Sequence, residues 1–146
     1  MTGLVFIIRK DLYVFGAFIS AGLLLSDALT IAACTTVMWH FSLAGHFATP
    51  TKIDFTRVQQ SVWVAGSQER AYSASMSIGG CLWLGLGCRD HGGKTAADIR
   101  SCRQYISHFS MPGSYTGVRD RLGDAVLGGS RAFMADEIEV LHLMEQ

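Results

Sequence analysis

Where the charges fall constrains this 146-residue chain more than any motif in it. Between Leu12 and Phe41 the only formal charge is Asp27, and from Ala71 to Cys88 there is none. A water-exposed helix repeats polar residues every three or four positions to keep one face wet. Neither stretch does so. The whole chain is 49% hydrophobic and only 16% charged, against roughly 25% charged in an ordinary globular domain. A mean hydropathy of +0.28 excludes intrinsic disorder. Its 12 basic and 12 acidic residues cancel. That balance argues against a nucleic-acid partner, which needs a basic excess to displace counterions.

The first stretch is longer than the ~20 apolar residues that cross a bilayer. Arg9, Lys10 and Asp11 close one end, and Trp39, His40 and Phe41 close the other as interfacial aromatics would. This predicts one long, tilted transmembrane helix over 12–41. The second stretch, 71–88, lies between Arg70 and Arg89 and predicts a shorter crossing. Ser73, Ser77 and Gly80 recur on one helical face there, a helix-packing stripe that lets another backbone approach. The expected fold class is therefore an all-α membrane protein, a hairpin of two transmembrane helices with a short-helix C-terminal tail.

The remaining segments follow from these two. Residues 1–11 form an N-terminal segment. Residues 42–70 form a connecting loop in which Val58, Val62 and Ala65 have the spacing of an interfacial helix, with Trp63 at the membrane surface. Residues 89–146 form a helical tail interrupted by glycine. Thr95 to Asp98 has capping-box spacing, and Ile99, Cys102, Ile106 and Phe109 follow at helical intervals. Met111-Pro112-Gly113 stops that helix, and Ser130 caps a last one carrying Met134, Ile138 and Leu141. Two rivals stand beside this reading. One is a soluble α-helical domain with two apolar core helices; the other makes 71–88 a Gly-rich buried strand and loop.

No complete catalytic set emerges, so the chain reads as a non-enzyme without cofactors. Gly87 to Thr95, GCRDHGGKT, approaches a phosphate-binding loop. It has one residue too many before Gly-Lys-Thr, and too little chain follows for the required parallel sheet. Cys88 and His91 with Cys102 and His108 have zinc-like spacing, although buried free thiols account for the cysteines more simply. His40 and His46 have no partner at matching depth for a self-contained haem site; His40 either ligates a cofactor shared with another subunit or sits at the interface beside Trp39. Asp27, an intramembrane charge, is either an ion relay or an intersubunit pair.

The function this implies is an accessory, structural or assembly subunit of a large multisubunit membrane complex. The most natural setting is an energy-converting membrane, respiratory with its electron-transport chain or photosynthetic. The expected location is the mitochondrial inner membrane, with the bacterial inner membrane or the thylakoid as alternatives. Partners would be other membrane-protein subunits and the lipid bilayer, not nucleic acid. A second hypothesis is a self-associating pore or transport component with Asp27 in the path.

Overall fold

The computed structural model describes residues 2–20, 32–55, 60–65, 74–87 and 98–145. Among these residues the chain is built of strands. They are β1 (Gly3–Lys10), β2 (Tyr13–Ile19), β3 (Ala32–Thr35), β4 (Met38–Ala44), β5 (Thr51–Asp54), β6 (Ser61–Val64), β7 (Met76–Ile78), β8 (Leu82–Leu84), β9 (Ser101–Gln104), β10 (Ala132–Met134) and β11 (Glu137–Leu143). All strand pairings are antiparallel. One sheet has the order β11-β1-β2-β4-β5 and the other β10-β9-β8-β7-β6-β3. A single 3₁₀ turn, His108–Ser110, is the only helical element among the described residues.

This overturns the expected fold class. The proposed transmembrane helix over 12–41 contains β2, β3 and most of β4, and the one over 71–88 contains the β7–β8 hairpin. The tail from residue 98 is strand and loop, not helix. Among the described residues no helix is long and apolar enough to cross a membrane. The integral-membrane location, the transmembrane accessory-subunit role and the helical pore all lose their basis. The rival soluble α-helical domain fails for the same reason. Of the readings weighed on sequence, only the Gly-rich strand and loop over 71–88 matches the backbone.

The physical cause of the misreading is burial on both faces. Strands covered on both sides read as continuous apolar runs, which periodicity cannot tell from a buried helix. In β2 the inward residues Phe15, Ala17 and Ile19 are fully buried, yet the outward Phe18 is only 3% exposed. Length and turns were the missing discriminators. Asp11 and Leu12 make the two-residue link between β1 and β2, with Lys10 opposite Tyr13 and Asp11 at φ 52°. Aspartate tolerates that left-handed conformation better than most residues. Gly79 and Gly80, both at positive φ, turn β7 into β8 while the Cys81 amide donates to Ile78 O. Paired glycines suit a turn with two left-handed residues.

One core lies between the sheets. The five-stranded sheet contributes Phe6, Ile8, Phe15, Ala17, Ile19, Met38 and Ile53, and the six-stranded sheet Val62, Met76, Ile78, Leu82, Leu84 and Cys102. Fully burying each large aliphatic side chain stabilises the fold by about 1.5–3 kcal/mol relative to exposure. The chain crosses between sheets at short corners, Thr36–Val37 leading into β4 and Ala135–Asp136 leading into β11. The second corner is pinned by Ala135 N to Arg100 O and by Asp136 N to Arg9 O, both 2.8 Å.

Candidate functional site

Because side chains alternate along a strand, burying Val62, Ile78, Leu82 and Gln104 inward forces their neighbours outward. The outward residues align in one register row across the six-stranded sheet. Trp63 on β6 faces Ser77 on β7, Ser77 faces Trp83 on β8, and Trp83 faces Arg103 on β9. Trp63 and Trp83 thus stand two strands apart, about 9.6 Å at the backbone. The small Ser77 side chain leaves the space between them open. The result is a cleft of ≈ 210 Å³ lined by Trp63, Ser77, Gly80 and Trp83. The Trp63 indole N–H donates to Ser61 Oγ at 3.3 Å, which fixes one wall.

The other wall continues into a rim of rings and guanidiniums. Trp83 stacks with Tyr105 at a centroid distance of 5.6 Å. The Arg103 guanidinium lies 5.6 Å from the ring centres of both Trp83 and Tyr105. Arg131 lies 4.1 Å over Tyr105. The two arginines differ in their charge balance. Arg131 donates from Nε to Asp120 Oδ2 at 2.5 Å and from Nη2 to Asp124 Oδ2 at 2.8 Å. Partial desolvation would raise the Asp120 carboxyl, but Arg131 and the Leu122 and Asp124 amides hold it below its usual value. Arg103 has no carboxylate partner among the described residues; its guanidinium rests over the two ring faces.

Two other places carry reactive residue types. On the inner face of β4, His40 and Ser42 are each only 1% exposed. Burial pushes the His40 imidazole down to about 3, and neither His40 Nε2 nor Ser42 Oγ has a hydrogen-bond partner among the described residues. His40 instead meets the Phe55 ring edge-on at 4.4 Å. A base needs substrate within reach and a pKa near the working pH. His40 has neither. Beside β10, a groove of ≈ 370 Å³ includes Cys102, Phe133 and Met134 in its lining. Burial, reinforced by the Asp98 charge, pushes the Cys102 thiol up to about 12, where it is a poor nucleophile.

His46 is a structural histidine. It stacks on Tyr13 at 4.4 Å, and its Nε2 lies 2.7 Å from Leu127 O. That carbonyl fixes Nε2 as the protonated nitrogen. The Tyr115 hydroxyl donates its proton to Val118 O and lies 3.4 Å from His46 Nδ1. Burial lowers the His46 pKa, partly offset by the Leu127 carbonyl. From β9, Gln104 Oε1 accepts from Leu127 N at 2.6 Å. Leu127 is therefore gripped at both its amide and its carbonyl by buried side chains, one from β9 and one from the loop between β4 and β5. Gly117 makes room for this arrangement, since a Cβ there would collide with the His46 ring.

The residues singled out from sequence are dispersed. Ser77 and Gly80 do line a shared feature, but as floor and turn of the cleft, not as a helix stripe. Ser73 lies outside the described residues, as do Asp27, Cys88 and His91. Cys102 is buried, whereas His108 is exposed with Nδ1 3.5 Å from Asp124 Oδ1. No cluster of three or more potential metal ligands occurs among the described residues. His40 is a core residue, not the interfacial or shared-cofactor ligand it was expected to be. The stacking of Trp83, Tyr105 and Arg103 has no counterpart in the sequence reading. The alternation SVWV and the Gly-Gly turn were the signals that could have placed the cleft. No protein-family model matches this chain, and no curated protein and no solved structure matches it either.

Proposed function

We propose that the chain is a recognition module without chemistry of its own, which holds a flat ring between Trp63 and Trp83. The observation that carries this reading is the register row, in which two indoles flank a serine and leave a ring-sized cleft. Tryptophan, tyrosine and arginine are the residues that dominate binding hot spots, and they are concentrated on this one face. The inaccessibility of His40, Ser42 and Cys102 supports a non-enzymatic role.

Indole N–H resonances of the ¹⁵N-labelled protein test it. The chain has three tryptophans, and Trp39 lies on the other sheet as an internal control. Titration with N-acetyl-phenylalaninamide shifts the Trp63 and Trp83 resonances saturably and leaves Trp39 unmoved. A ligand of that size binds in about the millimolar range. If the Trp63 and Trp83 resonances do not respond, or respond no more than Trp39, the cleft is not a binding site.

A further inference from the structure

The charge at the rim identifies what kind of ring the cleft takes. We propose that its occupant is an aromatic side chain of a partner protein, presented on an extended segment with a carboxylate within three residues of the ring. The inference rests on the ring-binding reading above and adds the class of ligand.

Three observations lead to it. First, Arg103 stands next to Trp83 in the row and lacks a carboxylate partner among the described residues, whereas Arg131 beside it is paired with Asp120 and Asp124. Among the described residues the Arg103 guanidinium is thus the one at this rim with no carboxylate in contact, and its N–H donors are open to an acceptor. Guanidinium meets carboxylate through parallel N–H···O bonds, a stronger match than a point charge makes. Second, the cleft is poor in hydrogen-bonding side chains among the described residues. Of these, Ser77 supplies the one hydroxyl in its lining, and the Trp63 N–H donates to Ser61. A sugar ring brings several hydroxyls that would lose water without gaining partners, at a cost for each. An apolar aromatic ring brings none. Third, a nucleic-acid strand would need a basic track along its phosphates. Among the described residues the rim offers Arg103 alone as an open guanidinium, on a chain of zero net charge.

The geometry also sets the spacing. A ring seated above Ser77 is two strands from Arg103, about 9.6 Å at the backbone. An extended partner segment advances about 3.3–3.4 Å per residue. Allowing for the reach of both side chains, an acid one to three residues from the ring meets the guanidinium.

The test compares pentapeptides with blocked ends on the full chain by the same indole resonances. Asp-Gly-Phe-Gly-Asp binds at least tenfold more tightly than Asn-Gly-Phe-Gly-Asn, and raising the salt removes most of that advantage. Arg103→Gln abolishes the preference for the Asp peptide over the Asn peptide, which is read as the ratio of the two affinities in the same variant. Equal binding of the two peptides by the wild type overturns the inference but leaves the ring-binding reading intact. Failure of both to move Trp63 and Trp83 overturns the two together. Tighter binding of Lys-Gly-Phe-Gly-Lys, of an oligoglucuronate or of a thymidine oligonucleotide than of the Asp peptide also overturns it.

Discussion

The outer faces of the two sheets use the same parts to opposite ends. Each centres on tryptophan with a cation above it: Lys52 lies 4.6 Å over Trp39, and Arg103 lies 5.6 Å over Trp83. On the five-stranded sheet the tryptophan has a neighbour to close on, and Trp39 stacks on Phe18 at 4.1 Å. Phe41 leans over Gly16, where any Cβ would collide with the Phe6 carbonyl and the Phe41 ring. That face has filled its own gaps. On the six-stranded sheet Ser77 separates the two tryptophans and leaves the gap open. The lesson is that an aromatic sheet face becomes a site through the small residue between its rings, not through the rings themselves.

Variants at the small residues break or sharpen this contrast. Gly16→Ala forces backbone to move and costs about 3 kcal/mol, the upper part of the usual overpacking range. Trp39→Ala, which removes a packed ring, costs a similar amount, about 3 kcal/mol. Urea unfolding measures both, and a loss below about 1 kcal/mol in either would show the five-stranded face to be as open as the other.

Acid separates the interior from both faces. Burial lowers the pKa of His40, to about 3, and of His46. At pH 7 both states are neutral at these residues and the fold loses nothing. Below the unfolded value of about 6.5 the unfolded chain takes up protons that the folded chain refuses. Stability then falls by about 1.4 kcal/mol per pH unit for each histidine, until its folded pKa is passed. Denaturant midpoints at pH 7 and pH 5 read this slope, and His40→Leu reduces it. A slope unchanged in that variant would mean that His40 is not buried as a neutral ring.

Ser77→Phe is the direct conversion of one face into the other. It fills the cleft, lowers binding of the neutral ring probe at least tenfold, and shifts the melting temperature by no more than about 4 °C. Retained binding would relocate the site. The smallest effect belongs to Lys52→Ala. Its ammonium is half-exposed and paired with Asp54 at 2.8 Å, so loss of the cation–π contact costs about 0.5 kcal/mol.

What the sequence made legible was polarity, not architecture. The low charge of 12–41 and 71–88 marks burial, and those segments do supply Phe15, Ile19, Met38, Ile78 and Leu84 to the core. The same signal could not distinguish lipid from a second sheet, because both sides of β2 and β7 are covered. Arg9-Lys10-Asp11 reads as the polar end of a membrane helix, but Asp11 and Leu12 are a hairpin link; two residues leave too little polar sequence to stand out. The cleft was half visible. Ser77 and Gly80 were rightly noticed as small, yet their meaning depends on Trp63 and Trp83 being brought alongside by pairings that join separate segments. The charge of Arg103 was visible too, but not that Asp120 and Asp124 fold back onto Arg131 and leave Arg103 without a carboxylate partner among the described residues.

The doubly gripped Leu127 has a consequence for how the molecule opens. Its amide hydrogen is held by Gln104 of β9, and its carbonyl by His46 of the loop between β4 and β5. Leu127 belongs to no strand, yet it and Gln104 are fully buried, so releasing that hydrogen to solvent requires the core around them to open. In deuterated water this loop amide exchanges as slowly as those in the middle of β1 and β2, at the rate set by global unfolding. A single loop position thus keeps time for the whole sandwich.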